Sequence, residues 1–150
     1  MKDPTGPPEV LQLRLVVEAE DFDAAVAFYR DTLGLPVEFA IDGGDGASVV
    51  ALQAGRATLE LVSPAQRRYI DEVEVGREVS REIRVAFEVT DVEGATDRLV
   101  RGAARLIAPP TETPWRSRNS RLEAPAGLQV TLFEELDPPD TDGIDPAAAR

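Results

Sequence analysis

Apolar residues in this chain alternate, fall into a helical rhythm, alternate again, and then run through the whole cycle a second time. From Leu11 to Glu18, Leu11, Leu13, Leu15 and Val17 share one face of a strand, and Gln12, Arg14, Val16 and Glu18 share the other. Asp21 stands where a helix N-cap belongs. Phe22, Ala25, Val26, Phe28, Tyr29 and Leu33 then recur at helical spacing, and Gly34 supplies the stop. Three strands are predicted next, Pro36 to Ile41, Ala47 to Gln53 and Ala57 to Val62, with DGGDG and AGR as the turns between them.

The second half repeats this order. Arg84 and Asp91 follow Arg14 and Asp21 at the same 70-residue offset. Glu82 to Val89 is a predicted strand with Ile83, Val85, Phe87 and Val89 on one face and Arg84, Ala86 and Glu88 on the other. Asp91 caps a helix built on Val92, Ala95, Leu99 and Val100, and Gly102 ends it. Strands follow near Arg105 to Ala108, Ser117 to Glu123 and Leu128 to Glu134, with APAG as the last turn. The expected architecture is therefore α+β: two βαβββ modules, 11–63 and 82–135, joined by 64–81. That connection is long enough to hold a helix of its own. Two copies are too few for a solenoid. They suggest a pseudo-twofold pair of curved, mixed sheets enclosing a cavity. One strand face in each module is apolar and packs under the helix; the mixed face suits the lining of a ligand cavity, or equally a solvated sheet surface.

The 150 residues suit one domain, 11–136, flanked by a flexible N-terminus, 1–10, and a disordered tail, 137–150. The tail carries four Asp against one Arg and has no periodic apolar face. A formal net charge of -12 argues against a nucleic-acid partner, which calls for clustered Lys and Arg. No apolar run approaches the roughly 20 residues that span a bilayer, and no signal peptide is evident, so a cytoplasmic setting is expected. The chain has no Cys, which removes disulfides, thiolate metal sites and a Cys nucleophile. It has no His either, which removes the commonest general base near neutral pH and the commonest transition-metal ligand.

The paired pattern, with AFYRDTLGL after the first strand, VAFEVTDV opening the second half and PAGLQVTLFEE closing it, resembles the vicinal oxygen chelate superfamily, the group of glyoxalase I, bleomycin-resistance proteins and extradiol dioxygenases. The resemblance spans residues 11–136 and implies the fold but not the reaction. Metal-dependent members hold a divalent ion with one residue from each of four strands. Carried over, those positions fall on Arg14, Glu60, Arg84 and Thr131. Glu60 alone of these could ligate a metal, and two guanidiniums would repel a divalent cation. No metal site and no cofactor are therefore expected; a shifted carboxylate set of Glu18, Glu60 and Glu88 is the metal-bearing alternative.

Two readings of the arginines stay open. Arg14 and Arg84 can pair with Glu60 and Glu88 in a buried charge network that stands in for the metal. Alternatively, they face a cavity and grip an anionic or carbonyl-bearing ligand. The candidate cavity set is Arg14, Glu60, Arg84, Glu88, Thr131 and Trp115, with Phe39, Phe133 and Tyr69 as further lining. Trp115 can stack on a flat ligand at the cavity mouth or cover the end of the core. The expected function is a metal-independent small-molecule-binding protein of the glyoxalase/bleomycin-resistance type, with antibiotic or metabolite sequestration as its role, and a homodimer on grounds of the resemblance. The alternatives are a glyoxalase-like lyase, isomerase or dioxygenase-family enzyme with a divergent or metal-free site using Glu60 or Glu88 as base, and an accessory domain with a filled cavity.

Overall fold

The computed structural model describes residues 14, 15, 17–42, 44–58, 60 and 62–136. The N-terminal lead, part of the first predicted strand (Leu11, Gln12, Leu13 and Val16), Leu59 and Leu61 of the fourth, and the acidic tail lie outside the described residues.

The second module has the predicted order throughout. Strand β3 (Val85–Glu88) leads into helix α3 (Val92–Arg101), and β4 (Arg105–Glu112), β5 (Ser117–Ala124) and β6 (Leu128–Glu135) follow. They form a four-stranded sheet of order β3-β6-β5-β4. The β3–β6 pair is parallel, with Ala86 opposite Thr131; β5–β6 and β4–β5 are antiparallel, with Arg121 opposite Thr131. Asp91 caps α3 by accepting from the Gly94 amide at 3.1 Å. A Cβ on Gly102, at the helix end, would collide with the side chain of Thr32, so the close of α3 meets the close of the first helix there.

The apolar face of this sheet carries the core. Val92, Ala95 and Leu99 of α3 pack on Leu122, Ala124, Val130 and Leu132, all buried. Burying each such side chain contributes roughly 1.5–3 kcal/mol, so this layer dominates the stability of the module. Thr96 enters the same layer without an unpaired hydroxyl, since it donates to the Val92 carbonyl at 2.6 Å and meets Ser120 Oγ at 2.7 Å.

The first module contributes helix α1 (Phe22–Val26), strands β1 (Val37–Asp42) and β2 (Ser48–Leu52), and their hairpin. Asp21 caps α1 through the Ala24 amide, as the sequence predicts. The helix then loosens into a π turn, Ala27–Thr32, in which the Leu33 amide donates to the Phe28 carbonyl at 2.8 Å. The wider turn sends two successive rings to the same layer. Phe28 is buried in the core of the second module, and Tyr29 lies edge-on at 5.0 Å and donates to the Pro125 carbonyl at 2.8 Å. Burial pushes the Tyr29 phenol pKa well above its ordinary value, so that donor is retained at any pH the fold tolerates.

Two predicted strands differ. Arg14, Leu15, Val17 and Glu18 are extended but unladdered, and so are Ala57, Thr58, Glu60 and Val62. A strand exists through the ladder it shares with a neighbour, and among the described residues nothing pairs with either segment, so the first sheet has two strands. The long connection contains a helix, α2 (Pro64–Glu74), with Ser63 as its cap and Pro64 at the first position. The sheets are mixed and do not close into a barrel. Among the described residues no helix is long and apolar enough to cross a membrane.

Because Phe28 stitches the first helix into the second module's core, its loss is felt by both. Phe28→Ala is expected to lower unfolding stability by about 3–5 kcal/mol, measured by urea denaturation, with a single transition rather than release of one module.

Candidate functional site

The mixed face of the four-stranded sheet presents Arg84, Ala86 and Glu88 from the β3 segment. Beside them lie Gln129, Thr131 and Phe133 from β6, and Ser117, Asn119 and Arg121 from β5. A strand reverses its side chains at each step, so the residues opposite α3 must all meet here. Over the β4–β5 side of this face lies α2. Its buried residues are Ile70, Asp71 and Glu74, one apolar side chain and two carboxylates.

Arg121 is the centre of the arrangement and is wholly buried. Its Nη1 donates to Asp71 Oδ1, Ser80 Oγ and Gln129 Oε1, each at 3.0 Å, and its Nη2 donates to Glu74 Oε2 at 3.1 Å. Glu74 Oε1 accepts from Asn119 Nδ2 at 3.0 Å, and Asn119 Oδ1 accepts from Ser117 Oγ at 2.7 Å. Asp71 Oδ2 accepts from the Val79 and Ser80 amides, both at 2.9 Å, so the chain after α2 folds back onto the same carboxylate. Burial by itself raises the Asp71 pKa. The Ser80 hydroxyl and amide, the Val79 amide and Arg121 outweigh it and hold the carboxyl at about 2, against an ordinary 3.8. Arg121 Nε is buried and has no hydrogen-bond partner among the described residues.

Arg84 lies beside this cluster, half-buried, and donates through Nη1 to Thr131 Oγ1 at 2.5 Å. Burial lowers its pKa and the Arg121 charge lowers it further; Glu74, Glu60 and Asp71 act in the opposite sense. Among the described residues no carboxylate forms an ion pair with it. Of the sequence candidates, Arg84 and Thr131 are thus brought into contact. Arg14 is elsewhere: it pairs with Glu38 at 3.7 Å and lies over the Phe39 ring at 5.1 Å, with its side chain 43% exposed. Glu60 and Glu88 are exposed, and Glu60 is felt by Arg84 as a charge. Trp115 sits in the β4–β5 turn, half-buried, edge-on to Tyr69 of α2 at 6.0 Å; its Nε1 is buried without a partner among the described residues. The pseudo-equivalence of Arg14 and Arg84 is therefore broken. One sequence reading put Arg14 and Arg84 with Glu60 and Glu88 in a buried charge network; the buried network among the described residues is formed by Arg121, Asp71 and Glu74.

Those three residues carry a signal that is visible in the chain. Arg121 has the strand phase of Asn119, and Asp71 and Glu74 stand three apart beside Ile70 in the connection, which places them on one helical face. No three Asp or Glu side chains among the described residues are grouped to hold a metal ion. The donor set at the carried-over positions, two guanidiniums, a hydroxyl and one carboxylate, does not fit a divalent ion. Two open clefts flank the start of α1. One, of about 730 Å³, is lined by Glu20, Asp21, Phe22, Asp23, Gly46 and Ser48; the other, of about 470 Å³, reaches Pro125 and Gly127. Neither includes Arg84, Thr131 or Arg121.

Paired βα-based modules with a polar inner sheet face define the class, and comparison supplies the family. The model for the Glyoxalase/Bleomycin resistance protein/Dioxygenase superfamily matches residues 12–132. The chain belongs to that superfamily. It is similar to a crystal structure named lactoylglutathione lyase from Agrobacterium tumefaciens, 25% identical with a TM-score of 0.53, covering 86% of this chain and 96% of that one. A protein of unknown function from the same species is also 25% identical, with a TM-score of 0.53 over 85% and 98% of the two chains. A glyoxalase-related enzyme from Fulvimarina pelagi shares the fold at 17% identity and TM-score 0.53, over 90% and 96%. No curated protein matches the sequence.

Two measurements test the network. Arg121→Met is expected to cost about 3–5 kcal/mol in chemical denaturation, because it strands Asp71 and Glu74, and adding Asp71→Leu and Glu74→Leu should recover most of that loss. The depressed Asp71 pKa gives stability that is present above about pH 4 and is lost as pH falls through about 2, worth about 2 kcal/mol. An Asp71→Asn chain should show a correspondingly flatter acid limb.

Proposed function

We propose that this chain is a metal-independent small-molecule-binding protein of the glyoxalase/bleomycin-resistance type, and that its ligand presents an oxyanion or carbonyl to Arg84 and Thr131. One observation carries the reading. A half-buried guanidinium, without an ion-paired carboxylate among the described residues, stands where metal-bearing relatives of the resembled kind put a metal ligand, and a hydroxyl holds it in place. Arg offers paired N–H groups that suit carboxylate, phosphate or carbonyl oxygens, and a partly desolvated Arg binds them more strongly than one in water. Thr131 fixes one Nη group and leaves the rest of the fork for a ligand. Glu88, exposed two positions along from Arg84 on the same face, can accept from a ligand's donor. The exposed apolar side chains Val37, Ile41 and Val49 of the first hairpin suit the homodimer expected of such a chain.

A second reading has one observation behind it, the 25% identical structure named lactoylglutathione lyase. Under it, Glu60 or Glu88 is a base in a lyase or isomerase that works without His. Metal content and turnover separate the two: Ni²⁺, Zn²⁺, Mn²⁺ and Fe²⁺ are titrated by calorimetry into chelator-treated protein, with Glu60→Ala alongside, and lyase turnover is assayed on the same samples. No stoichiometric binding is expected. Tight binding of one ion per chain, lost in Glu60→Ala, replaces the first reading with a metalloenzyme. In a thermal-shift screen of anionic metabolites, Arg84→Met is expected to abolish any stabilisation that the wild-type chain shows.

A further inference from the structure

The inner sheet face already has an occupant. Helix α2 and the strap after it, residues 64–80, lie over β5 and bring two carboxylates to Arg121, with Arg84 beside them. With Asp71 and Glu74 in place, the charges of Arg84 and Arg121 are balanced locally. Without them the same face carries two positive charges in a partly desolvated setting, which demands counter-ions.

The way α2 is held is unusual for a core helix. An amphipathic helix is ordinarily fixed by an apolar stripe, which no solute can replace. Here Ile70 is the one apolar residue among the three that are buried; Tyr69 meets Trp115 edge-on, and the rest of the hold is polar and ionic. Buried ion pairs stabilise less than apolar packing of the same volume, and their partners can be exchanged for others of like charge. Asp71 is also prepared to leave. It keeps the Val79 and Ser80 amides and the Ser80 hydroxyl, all on its own segment, and Arg67 of α2 lies 3.9 Å away. Departure costs Asp71 the Arg121 contact, Glu74 its bonds to Arg121 and Asn119, and Tyr69 its contact with Trp115, and it costs the strap the Arg121 bond to Ser80 Oγ and the Gln129 bond to the Val79 carbonyl. Arg121, for its part, retains an unpartnered Nε.

We propose that residues 64–80 are a displaceable internal counter-ion, and that the ligand of this face is a small dicarboxylate that takes the places of Asp71 and Glu74 at Arg121 and reaches Arg84 beside it. The inference rests on the reading of the Arg84–Thr131 face as the ligand site and adds a ligand class and a gate to it. The ligand supplies both negative charges, so the face stays balanced while α2 and the strap swing out between Ser63 and Arg81, whose guanidinium stays on the Gly127 carbonyl and Glu123. The gate then sets affinity. If α2 is seated in about nine molecules of ten, binding is about tenfold weaker than the bare face allows, and neutralising the two acids removes that penalty.

Succinate is the probe. Its binding is measured by calorimetry on the wild-type chain, on Glu74→Gln, on Asp71→Asn/Glu74→Gln and on Arg121→Gln, and hydrogen exchange is followed through residues 64–80. Far-UV circular dichroism and thermal melting establish that each variant is folded, and Glu74→Gln alone serves if the double variant is not. The expected result is saturable succinate binding that tightens about tenfold when the acids are neutralised and is lost in Arg121→Gln, with faster exchange in 64–80 of the wild type when succinate is bound. Binding that leaves exchange in 64–80 unchanged or slower overturns the gate and leaves the ligand face standing. A folded Glu74→Gln chain that binds succinate no more tightly than the wild type also overturns it. Failure of every folded variant to bind succinate overturns the ligand class. If Arg84→Met is then equally indifferent to the whole anion screen, the underlying site reading falls with it.

Discussion

A guanidinium with no exposed surface has to be answered with charge, and in this chain the answer organises half the molecule. Arg121 sits mid-strand, where Asn119 and Thr131 are neutral and the one carboxylate on its strand face, Glu123, is paired with Arg81 instead. The counter-charge must come from outside the sheet, and it comes from α2. That requirement explains why a connection that a simple two-module chain could make short is long, helical and capped. It also explains why the chain after the helix turns back, since Asp71 needs the Val79 and Ser80 amides to remain ionised against the cost of its burial.

One sheet therefore has two covers of opposite character. On one side α3 closes an apolar layer, with Leu99, Leu122, Val130 and Leu132 at the centre. On the other α2 closes a polar one. Apolar burial is non-directional and grows with area, so it sets the stability of the module. The polar layer is directional: every bond names a donor and an acceptor, and a wrong partner leaves a charge unpaired. The first layer fixes the fold, and the second makes one sheet face selective about what may lie on it.

The periodic signals that announce α3 and β3 to β6 are strong because both faces of that sheet are covered, and each residue's burial follows from its phase. The caps at Asp21 and Asp91 were legible for the same local reason: a side chain reaching its own helix start needs no knowledge of the rest of the chain. The first module reads equally well in the sequence, but Leu15 and Val17 are exposed and without a ladder, since alternation states a preference that only a partner strand can realise. The site was half legible. Arg84 and Thr131 meet because strand phase and the parallel β3–β6 register put them together. Arg121 was passed over because sequence weighs an arginine on a strand as exposed until a partner is known, and its partners lie 50 and 47 residues away in the connection.

The same charge logic bears on what this sheet face can hold. A divalent ion on this face would concentrate positive charge and draw carboxylates from several strands toward it. Here the positive charge is part of the chain, carried by Arg84 and Arg121, and the carboxylates of Asp71 and Glu74 come from the single helix α2 rather than from the sheet. A metal site is rebuilt with every turnover of its ion, whereas a covalently attached cation cannot leave, and the exchangeable partner becomes the anion. The overall charge of -12 sharpens that exchange, since the wider field of the molecule disfavours anions that the local face favours. An anion on this face would therefore have to make its contacts at short range, with geometry as well as charge, and Thr131 fixes the Arg84 fork that would supply them.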